Sequence, residues 1–335
     1  MRGAPRPRTI QSRRRDDDQR TGCGAGCASD AKGELMKILI PYDGSRHAKA
    51  AVAFVAARAA PIGTQPAVSV LLLNVQEPAL VTFPTPQGRA RLANFYKDRA
   101  NRLLQPALNT LRKAGIDAKS TYVVGTPGVR IARVAAAKRV DLIVMGSHGR
   151  TALAGMLLGS VTQTVLAFGS TPVLLVRDAP PPGPGPLRIG VAVDGSRYGE
   201  AAVRFLLQHR AWFGEAAQIT VLHAVPELPL QLKTLLENLA STTFTHEKVR
   251  ALRKQACDEA MRSALRLLGA AGVDYRVECL SGNPGDALAD YARKQLDLLV
   301  MGSRGQGAFK AAVLGSVTTR VAAHCATPLL IVRKA

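Results

Sequence analysis

The stretch Gly146-Ser147-His148-Gly149, followed after nine residues by Gly159-Ser160, decides the fold of this chain because it occurs twice. The second copy is Gly302-Ser303-Arg304-Gly305, again nine residues, and Gly315-Ser316. Each copy follows an apolar run that ends in Met-Gly, which predicts a buried strand, and each leads into an apolar stretch that predicts a helix. The motif therefore lies in a strand-to-helix crossover, where glycine allows close backbone approach.

The end of each motif predicts an anion site. Gly159-Ser160 and Gly315-Ser316 precede the helices, and free amides with a serine hydroxyl at a helix N-terminus stabilise a phosphate. Small residues also serve simply to pack a loop tightly, and this is the preferred interpretation of a single Gly-x-x-Gly. A purely structural loop would tolerate drift in its spacer, so two identical spacings favour phosphate or nucleotide binding.

The repeat extends along most of the chain. Asp43-Gly-Ser returns as Asp194-Gly-Ser, and Gly125-Thr-Pro-Gly returns as Gly282-Asn-Pro-Gly. An insertion in the second repeat is expected at 228–248, as a surface segment. Met36 opens directly into a strand, which suggests it as an alternative translation start. The predicted organisation is a disordered basic extension at 1–35, a first domain at 36–177, a Pro/Gly linker at 178–186 and a second domain at 187–335.

Strands and helices alternate throughout both repeats. This alternation predicts the α/β class, with two doubly wound Rossmann-like domains in which helices flank a parallel sheet. Each sheet is expected to have five strands in the order 3-2-1-4-5. In this order the first and fourth strands flank the point where strand order reverses, so an aspartate and a glycine motif face each other across one crevice. On the long helix of the first domain, the predicted core-facing stripe is Leu92, Phe95, Leu103, Leu104, Leu108 and Leu111.

Charge and composition limit the classes of partner that the protein is expected to bind. The net charge is +21, and residues 36–177 alone carry 18 basic and 5 acidic side chains. A basic domain attracts nucleic acid, anionic lipid or a polyanionic nucleotide. Aromatic residues make up only 4% of the chain, too few to favour base stacking, so a solvated basic surface is preferred over nucleic-acid binding. No apolar run reaches a membrane span of about 20 residues, and no signal-peptide core is present, which predicts a cytoplasmic protein without a membrane partner.

The cysteines predict neither a disulfide framework nor a metal site. The chain has five, of which residues 36–177 contain none, so the two repeats share no disulfide pattern and reduced thiols are expected. Cys23 and Cys27 lack the second ligand pair of a zinc site. The five are Cys23, Cys27, Cys257, Cys279 and Cys325.

Three motifs in the same order in both repeats resemble the universal stress protein family in its tandem form, and the resemblance covers residues 36–335. They are the strand ending in Asp-Gly-Ser, the Gly-x-Pro-Gly after the third strand, and Gly-x-x-Gly-x9-Gly-Ser followed by Val-Thr. Family members with this glycine motif bind ATP, so the resemblance implies an ATP site in each domain, with Mg or Mn left open as the accompanying ion. It places Asp43 and Asp194 beside the adenosine, Val75 and Val225 in the adenine pocket, and around ribose and phosphates Gly146, Gly149, Gly159, Ser160, Val161, Gly302, Gly305, Gly315, Ser316 and Val317.

Simpler roles stand beside these assignments. Asp43 and Asp194 are also suited to cap the helices that follow them, and Val75 and Val225 to ordinary core packing. His148 has no paired nucleophile or carboxylate in its motif, so no catalytic residue is assigned.

The function implied by the resemblance is that of an ATP-binding regulatory or protective protein of the stress response. The alternatives are a slow ATPase and a nucleic-acid-binding protein that uses the basic first domain. The glycine loop lacks the Lys-Ser/Thr of a Walker P-loop, and the sequence shows no acidic metal pair, which argues against more than slow hydrolysis. Both fifth strands would be apolar edges, so the domains are expected to pair with each other as a pseudo-dimer, with further homo-oligomerisation left open.

Overall fold

The computed structural model describes residues 36–59, 68–80, 84–147, 158–177, 182, 185–226, 246–306 and 314–333. The predicted extension at 1–35, most of the linker, His148, Gly149 and the expected insertion up to residue 245 lie outside them. The strands are β1 Met36–Pro41, β2 Val68–Gln76, β3 Asp117–Val124, β4 Leu142–Gly146, β5 Val173–Val176, β6 Arg188–Ala192, β7 Gln218–Val225, β8 Tyr275–Ser281, β9 Leu298–Gly302 and β10 Leu329–Val332. The helices are α1 Arg46–Ala59, α2 Pro86–Lys113, α3 Pro127–Ala137, α4 Ser160–Phe168, α5 Arg197–Gln208, α6 Arg210–Phe213, α7 His246–Ala270, α8 Pro284–Gln295 and α9 Ser316–His324.

The strands form one ten-stranded sheet in the order β3-β2-β1-β4-β5-β10-β9-β6-β7-β8. Within each half the order is 3-2-1-4-5 and every pairing is parallel, which confirms the predicted fold class. The central strands β4 and β9 are buried along their whole length, as expected for apolar strands covered by helices on both faces.

Two apolar layers cover the two faces of this sheet. On one face α1 and α2 pack with α5 and α7, and on the other α3 and α4 pack with α8 and α9. Each layer includes residues of both halves, so the core is continuous from one domain to the other. Burial of this kind is the main favourable contribution to folding.

The predicted pairing of the fifth strands is confirmed. β5 and β10 are antiparallel, with Leu174 opposite Leu330. Beside them, Arg58 Nη2 donates to the Phe213 carbonyl at 3.1 Å, and the rings of Phe54 and Trp212 lie 6.5 Å apart. The two domains therefore cover the apolar edges that each would expose alone.

One residue of the predicted α2 stripe is wrong. Phe95 is 53% exposed, whereas the neighbouring Tyr96 is 7% exposed and donates its hydroxyl to the Glu77 carbonyl at 3.4 Å. The helical phase near the start of α2 therefore turns Tyr96 toward the sheet. Leu104, Leu108 and Leu111 are buried as predicted.

The expectation of reduced thiols is also wrong for one pair. Cys257 of α7 and Cys279 of β8 form a disulfide, with their Cα atoms 6.2 Å apart. Cys325 is a free, buried thiol, and burial raises its pKa. The cross-link ties a long helix to an edge strand of the second domain.

Candidate functional site

A cavity of about 1510 Å³ opens where β1 and β4 end in the first domain. Its volume exceeds the roughly 300–1,000 Å³ of typical small-molecule sites. It lies at the reversal of strand order, where doubly wound folds bind their ligands. Six of the residues that the sequence indicated line it together: Asp43, Val75, Gly146, Gly159, Ser160 and Val161.

Asp43 is fixed by the turn that follows β1. Its Oδ1 accepts from the Ser45 backbone amide at 3.0 Å, and the Ser45 hydroxyl in turn accepts from the Ala48 amide at 3.1 Å. The serine, rather than the aspartate, thus caps α1. Asp43 is left as a half-buried carboxylate on the cavity wall.

The second domain repeats this turn. Asp194 accepts from the Ser196 amide at 3.1 Å, and Ser196 caps α5 by accepting from the Gly199 amide at 3.3 Å. The interpretation of either aspartate as the helix cap is therefore wrong. In each Asp-Gly-Ser motif the serine caps the helix, and the aspartate accepts from the serine backbone amide.

The start of α4 presents amides to the cavity. The Gly159 amide donates to the Ser147 carbonyl at 2.9 Å, so this amide is not available to a ligand. Helix geometry leaves the amides of Ser160, Val161 and Thr162 without intrahelical acceptors. No acceptor for them lies among the described residues, and no side chain caps the helix.

Two details of this turn differ from simple expectation. Gly159 has φ −63° and Gly315 has φ −68°, so neither glycine is required for a left-handed backbone. The Val161 side chain packs on the core, which leaves only its amide for a ligand. The buried Thr162, which the sequence did not single out as a site residue, donates its hydroxyl to the Gly146 carbonyl at 3.2 Å and ties the helix start to β4.

The end of β2 contributes two buried side-chain amides. Asn74 Nδ2 donates to the Tyr42 carbonyl at 2.9 Å, and Gln76 Nε2 donates to the Tyr96 carbonyl at 2.8 Å. Their oxygens, Asn74 Oδ1 and Gln76 Oε1, are buried without a donor in the described part of the chain, and both residues line the cavity. Each side chain is therefore held by its amide nitrogen, with its oxygen turned away from solvent.

The two predicted adenine-pocket valines are not equivalent positions. The Tyr42 backbone amide donates to the Leu73 carbonyl, and the Val193 backbone amide donates to the Leu222 carbonyl. Leu73 therefore corresponds to Leu222, and two residues further on Val75 corresponds to Ala224. Val225 instead matches Gln76. In the same register His223 replaces Asn74, and its Nδ1 lies 2.7 Å from the Val193 carbonyl.

The second crevice is partly filled by its own glycine loop. Gln306 Nε2 donates to the Asp194 carbonyl at 2.7 Å, and the Gln306 amide donates to Asp194 Oδ2 at 3.0 Å. A Cβ on Gly305 would clash with the same carboxylate. A Cβ on Gly302 would lie 2.7 Å from the Tyr198 backbone, so packing is by itself a sufficient reason for glycine at this position.

The helix start in the second domain repeats that of the first. Gly315 donates to the Ser303 carbonyl at 2.9 Å, Ser316 begins α9, and Thr318 donates to the Gly302 carbonyl at 3.0 Å. Val317 packs its side chain on the core, like Val161. Of the predicted residues, Gly315, Ser316 and Val317 form this helix start, and Gly305 precedes it in the glycine loop.

Arg304, at the position of His148, lies close to Tyr198. Hydrogen bonding from Arg197, and then from Arg304, lowers the pKa of the Tyr198 hydroxyl. In the described ranges, no group of three or more His, Cys, Asp or Glu side chains is placed to hold a metal ion. Nor do these ranges contain a helix long and apolar enough to cross a membrane.

Comparison with known proteins follows the internal repeat. The sequence model of the Universal stress protein family matches residues 34–177 and again residues 187–333. The chain belongs to the universal stress protein family. Both copies of the Asp-Gly-Ser turn and of the glycine loop lie within the matched ranges.

Universal stress proteins match either nearly the whole chain or about half of it. One from Mycolicibacterium smegmatis is 27% identical over 300 residues, covering 88% of this chain and 96% of the relative. A universal stress protein of Methanocaldococcus jannaschii is 35% identical over 156 residues, which cover 42% of this chain and 94% of that protein. The crystal structure of a universal stress protein from Archaeoglobus fulgidus has a TM-score of 0.62 at 20% identity, covering 90% of this chain and all of that one, and shows the shared fold.

Proposed function

We propose that this universal stress protein binds ATP, and that the crevice of the first domain is its principal site. The observation that carries the proposal is the cavity in which the Asp43 carboxylate and the amides at the start of α4 face each other across the sheet edge. Amides at a helix N-terminus suit a phosphate, because their partial positive charge is already oriented. The cavity is large enough for a whole nucleotide.

The other end of the cavity suits the nucleoside. Adenine and ribose carry donors, an exocyclic amine and hydroxyls, and the half-buried Asp43 carboxylate is an acceptor on this wall. Asn74 and Gln76 add polar side chains to the lining, while Val75 adds an apolar contact. A metal ion would reach this site with the nucleotide phosphates, and Asp43 and Glu77 are the carboxylates of the cavity lining.

The role that follows is regulatory or protective rather than catalytic. The chemistry of the first crevice is that of binding: amide donors for phosphates and fixed acceptors for a nucleoside. Because the chain belongs to this family, we assign its nucleotide binding a role in the stress response. We place the protein in the cytoplasm. Nucleotide binding in the second crevice, at Asp194 and the amides of α9, belongs to the same proposal.

Release of bound nucleotide tests the proposal most directly. The purified chain is denatured and the supernatant analysed by mass spectrometry, and we expect ATP or its ADP product. Titration calorimetry of nucleotide-free protein then gives the affinity. A protein that neither releases nor takes up an adenine nucleotide would overturn the proposal.

Substitution of Ser160 assigns binding to the helix start. Ser160→Pro removes one amide donor, and Gly159, with ψ 149°, already has the extended backbone that a following proline requires. Ser160→Ala removes only the hydroxyl and is the matched control. We expect Ser160→Pro to weaken ATP binding in the first domain by about tenfold or more, with a smaller loss in the control. Equal affinities in wild type and Ser160→Pro would exclude the α4 amides as phosphate ligands.

A further inference from the structure

Helix α2 carries two arginines along the edge of the first cavity. Arg99 and Arg102 are exposed and line the same cavity as Asp43 and Gly159. The residue beside them, Leu103, approaches the turn after β1 so closely that a Cβ on Gly44 would lie 2.7 Å from its Cδ1. This part of α2 is therefore held against the crevice.

Among the described residues, neither guanidinium has a partner in the fold. In the ranges that the structure describes, Arg99 and Arg102 take part in no hydrogen bond or ion pair. Arg89 and Arg112 of α2 do have such partners, the Pro84 and Ala118 carbonyls. Arg91 and Lys97 have none among the described residues either, so what distinguishes Arg99 and Arg102 is their place on the cavity wall. Two unpaired positive charges at a cleft attract an anionic ligand.

The equivalent positions on α7, beside the second crevice, carry no such pair. A Cβ on Gly195 would lie 3.5 Å from Ala260 Cα of α7, so Ala260 occupies the place of Leu103. Counting back along both helices, Ala256 stands for Arg99 and Glu259 for Arg102. Both residues are exposed. Two positive charges in the first crevice thus correspond to one neutral and one negative side chain in the second.

The arginines and the amides of α4 reach the cavity from opposite faces of the sheet. α2 packs in the apolar layer of α1, whereas α4 packs in the layer on the other face, and both helices reach one cavity. We infer that Arg99 and Arg102 contact the phosphates of the bound nucleotide and make the first crevice select the more highly charged nucleotides. This rests on the proposed nucleotide binding and adds to it a charge preference that α2 gives to the first crevice and α7 does not give to the second.

The test is an affinity series with AMP, ADP and ATP, measured by calorimetry near physiological salt. All variants carry Ser316→Pro, which removes one α9 amide and weakens the second crevice, so that the tighter site in the titration is the first crevice; Gly315 has ψ 157°, compatible with proline. In this parent, affinity should rise from AMP to ATP. Arg99→Ala/Arg102→Ala should lose about tenfold in ATP affinity but only about twofold in AMP affinity.

The matched control removes the same charge from the same helix. Arg91 and Lys97 are exposed on α2 but do not line the cavity, so Arg91→Ala/Lys97→Ala should leave the ratio of ATP to AMP affinity unchanged. Conversely, Ala256→Arg/Glu259→Arg, in a chain carrying Ser160→Pro, should raise the ATP affinity of the second crevice.

The outcomes separate the two proposals. If the parent binds ATP and the arginine variant keeps the parent's ATP to AMP ratio, the inference is wrong and nucleotide binding stands. If the control lowers the ratio as far as the arginine variant does, the effect is one of general charge and the inference is again wrong. If neither wild type nor parent binds any of the three nucleotides, the proposed function and the inference both fall.

Discussion

Gln306 holds Asp194 from two directions: its side-chain amide donates to the Asp194 carbonyl at 2.7 Å and its backbone amide to Asp194 Oδ2 at 3.0 Å. The side chain also lies against the turn, since a Cβ on Gly195 would be 2.9 Å from Gln306 Nε2. The residue at the same place in the first glycine loop is Arg150, which lies outside the described residues. A ligand that hydrogen-bonds to Asp194 in the second crevice competes with these contacts.

Removing this side chain should therefore strengthen binding in the second domain. We expect Gln306→Ala, in a chain carrying Ser160→Pro, to raise ATP affinity by about fivefold to tenfold, since one hydrogen bond that competes with the ligand is worth about 1 kcal/mol. Calorimetric titration measures it. Gln295→Ala at the end of α8 serves as the control, and a fall in affinity in Gln306→Ala would show that Gln306 is a ligand contact instead.

Trp212 should couple the stability of the two domains. It is 4% exposed and lies against Phe54 of the first domain, so Trp212→Ala should cost about 3–5 kcal/mol. Urea unfolding followed by circular dichroism gives the free energy of unfolding. Leu252, 56% exposed on α7, provides a control that should change stability little. A loss below about 1 kcal/mol in Trp212→Ala would contradict the continuous core.

Much of this architecture can be predicted from the sequence, because it depends on periodicity. The alternation of strands and helices predicts the doubly wound parallel sheet, and the apolar fifth strands predict the β5 and β10 pairing, since an exposed edge is costly. Residues of the Asp-Gly-Ser motif and of the glycine motif also line one cavity, as the sequence predicts. The register of β7 could not be found in this way, because matching Val225 to Val75 by residue type overlooks the hydrogen bond from Val193 that sets it.

Other features had no signal in the repeat. Cys257 and Cys279 occur in one domain only, so a search for a shared cysteine pattern misses them. Gln306 meets Asp194 across 112 residues, and no local pattern reports such a contact. Arg99 and Arg102 are distinguishable from other exposed arginines only when the cavity is known.

The disulfide should stabilise the second domain. Cys257 and Cys279 are 22 residues apart, and closing a loop of this size stabilises a fold by about 3 kcal/mol. We expect Cys257→Ala/Cys279→Ala to lower the free energy of unfolding by this order under oxidising conditions. Ala100 occupies the position of Cys257 in the first domain, which indicates that alanine fits there. With dithiothreitol present, wild type and variant should have similar stability; an unchanged wild type on reduction would contradict the prediction.

Asp297 should make stability depend on pH in acid. Its carboxylate accepts from the Arg188 side chain at 2.8 and 3.1 Å and from the Arg188 amide at 2.9 Å, and these bonds lower its pKa below the ordinary value. A lowered folded-state pKa contributes stability that is present above the unfolded pKa of about 3.9 and is lost as the pH falls through the folded value.

Asp297→Asn should therefore lose about 0.5–1 kcal/mol at neutral pH, because the pair is partly exposed and screened by solvent. Below about pH 4 its stability should approach that of wild type. Chemical denaturation at pH 7 and pH 3 measures both values. Asp258→Asn, on the exposed side of α7, provides the control. A difference between wild type and Asp297→Asn that grows as the pH falls would contradict this account.

The antiparallel pairing of β5 and β10 sets the direction in which each domain meets its surroundings. All strands within a domain are parallel, so the carboxyl ends of one domain's strands emerge where the amino ends of the other's lie. The two crevices consequently face away from each other on opposite edges of the sheet. A single flat surface therefore cannot cover both crevices at once.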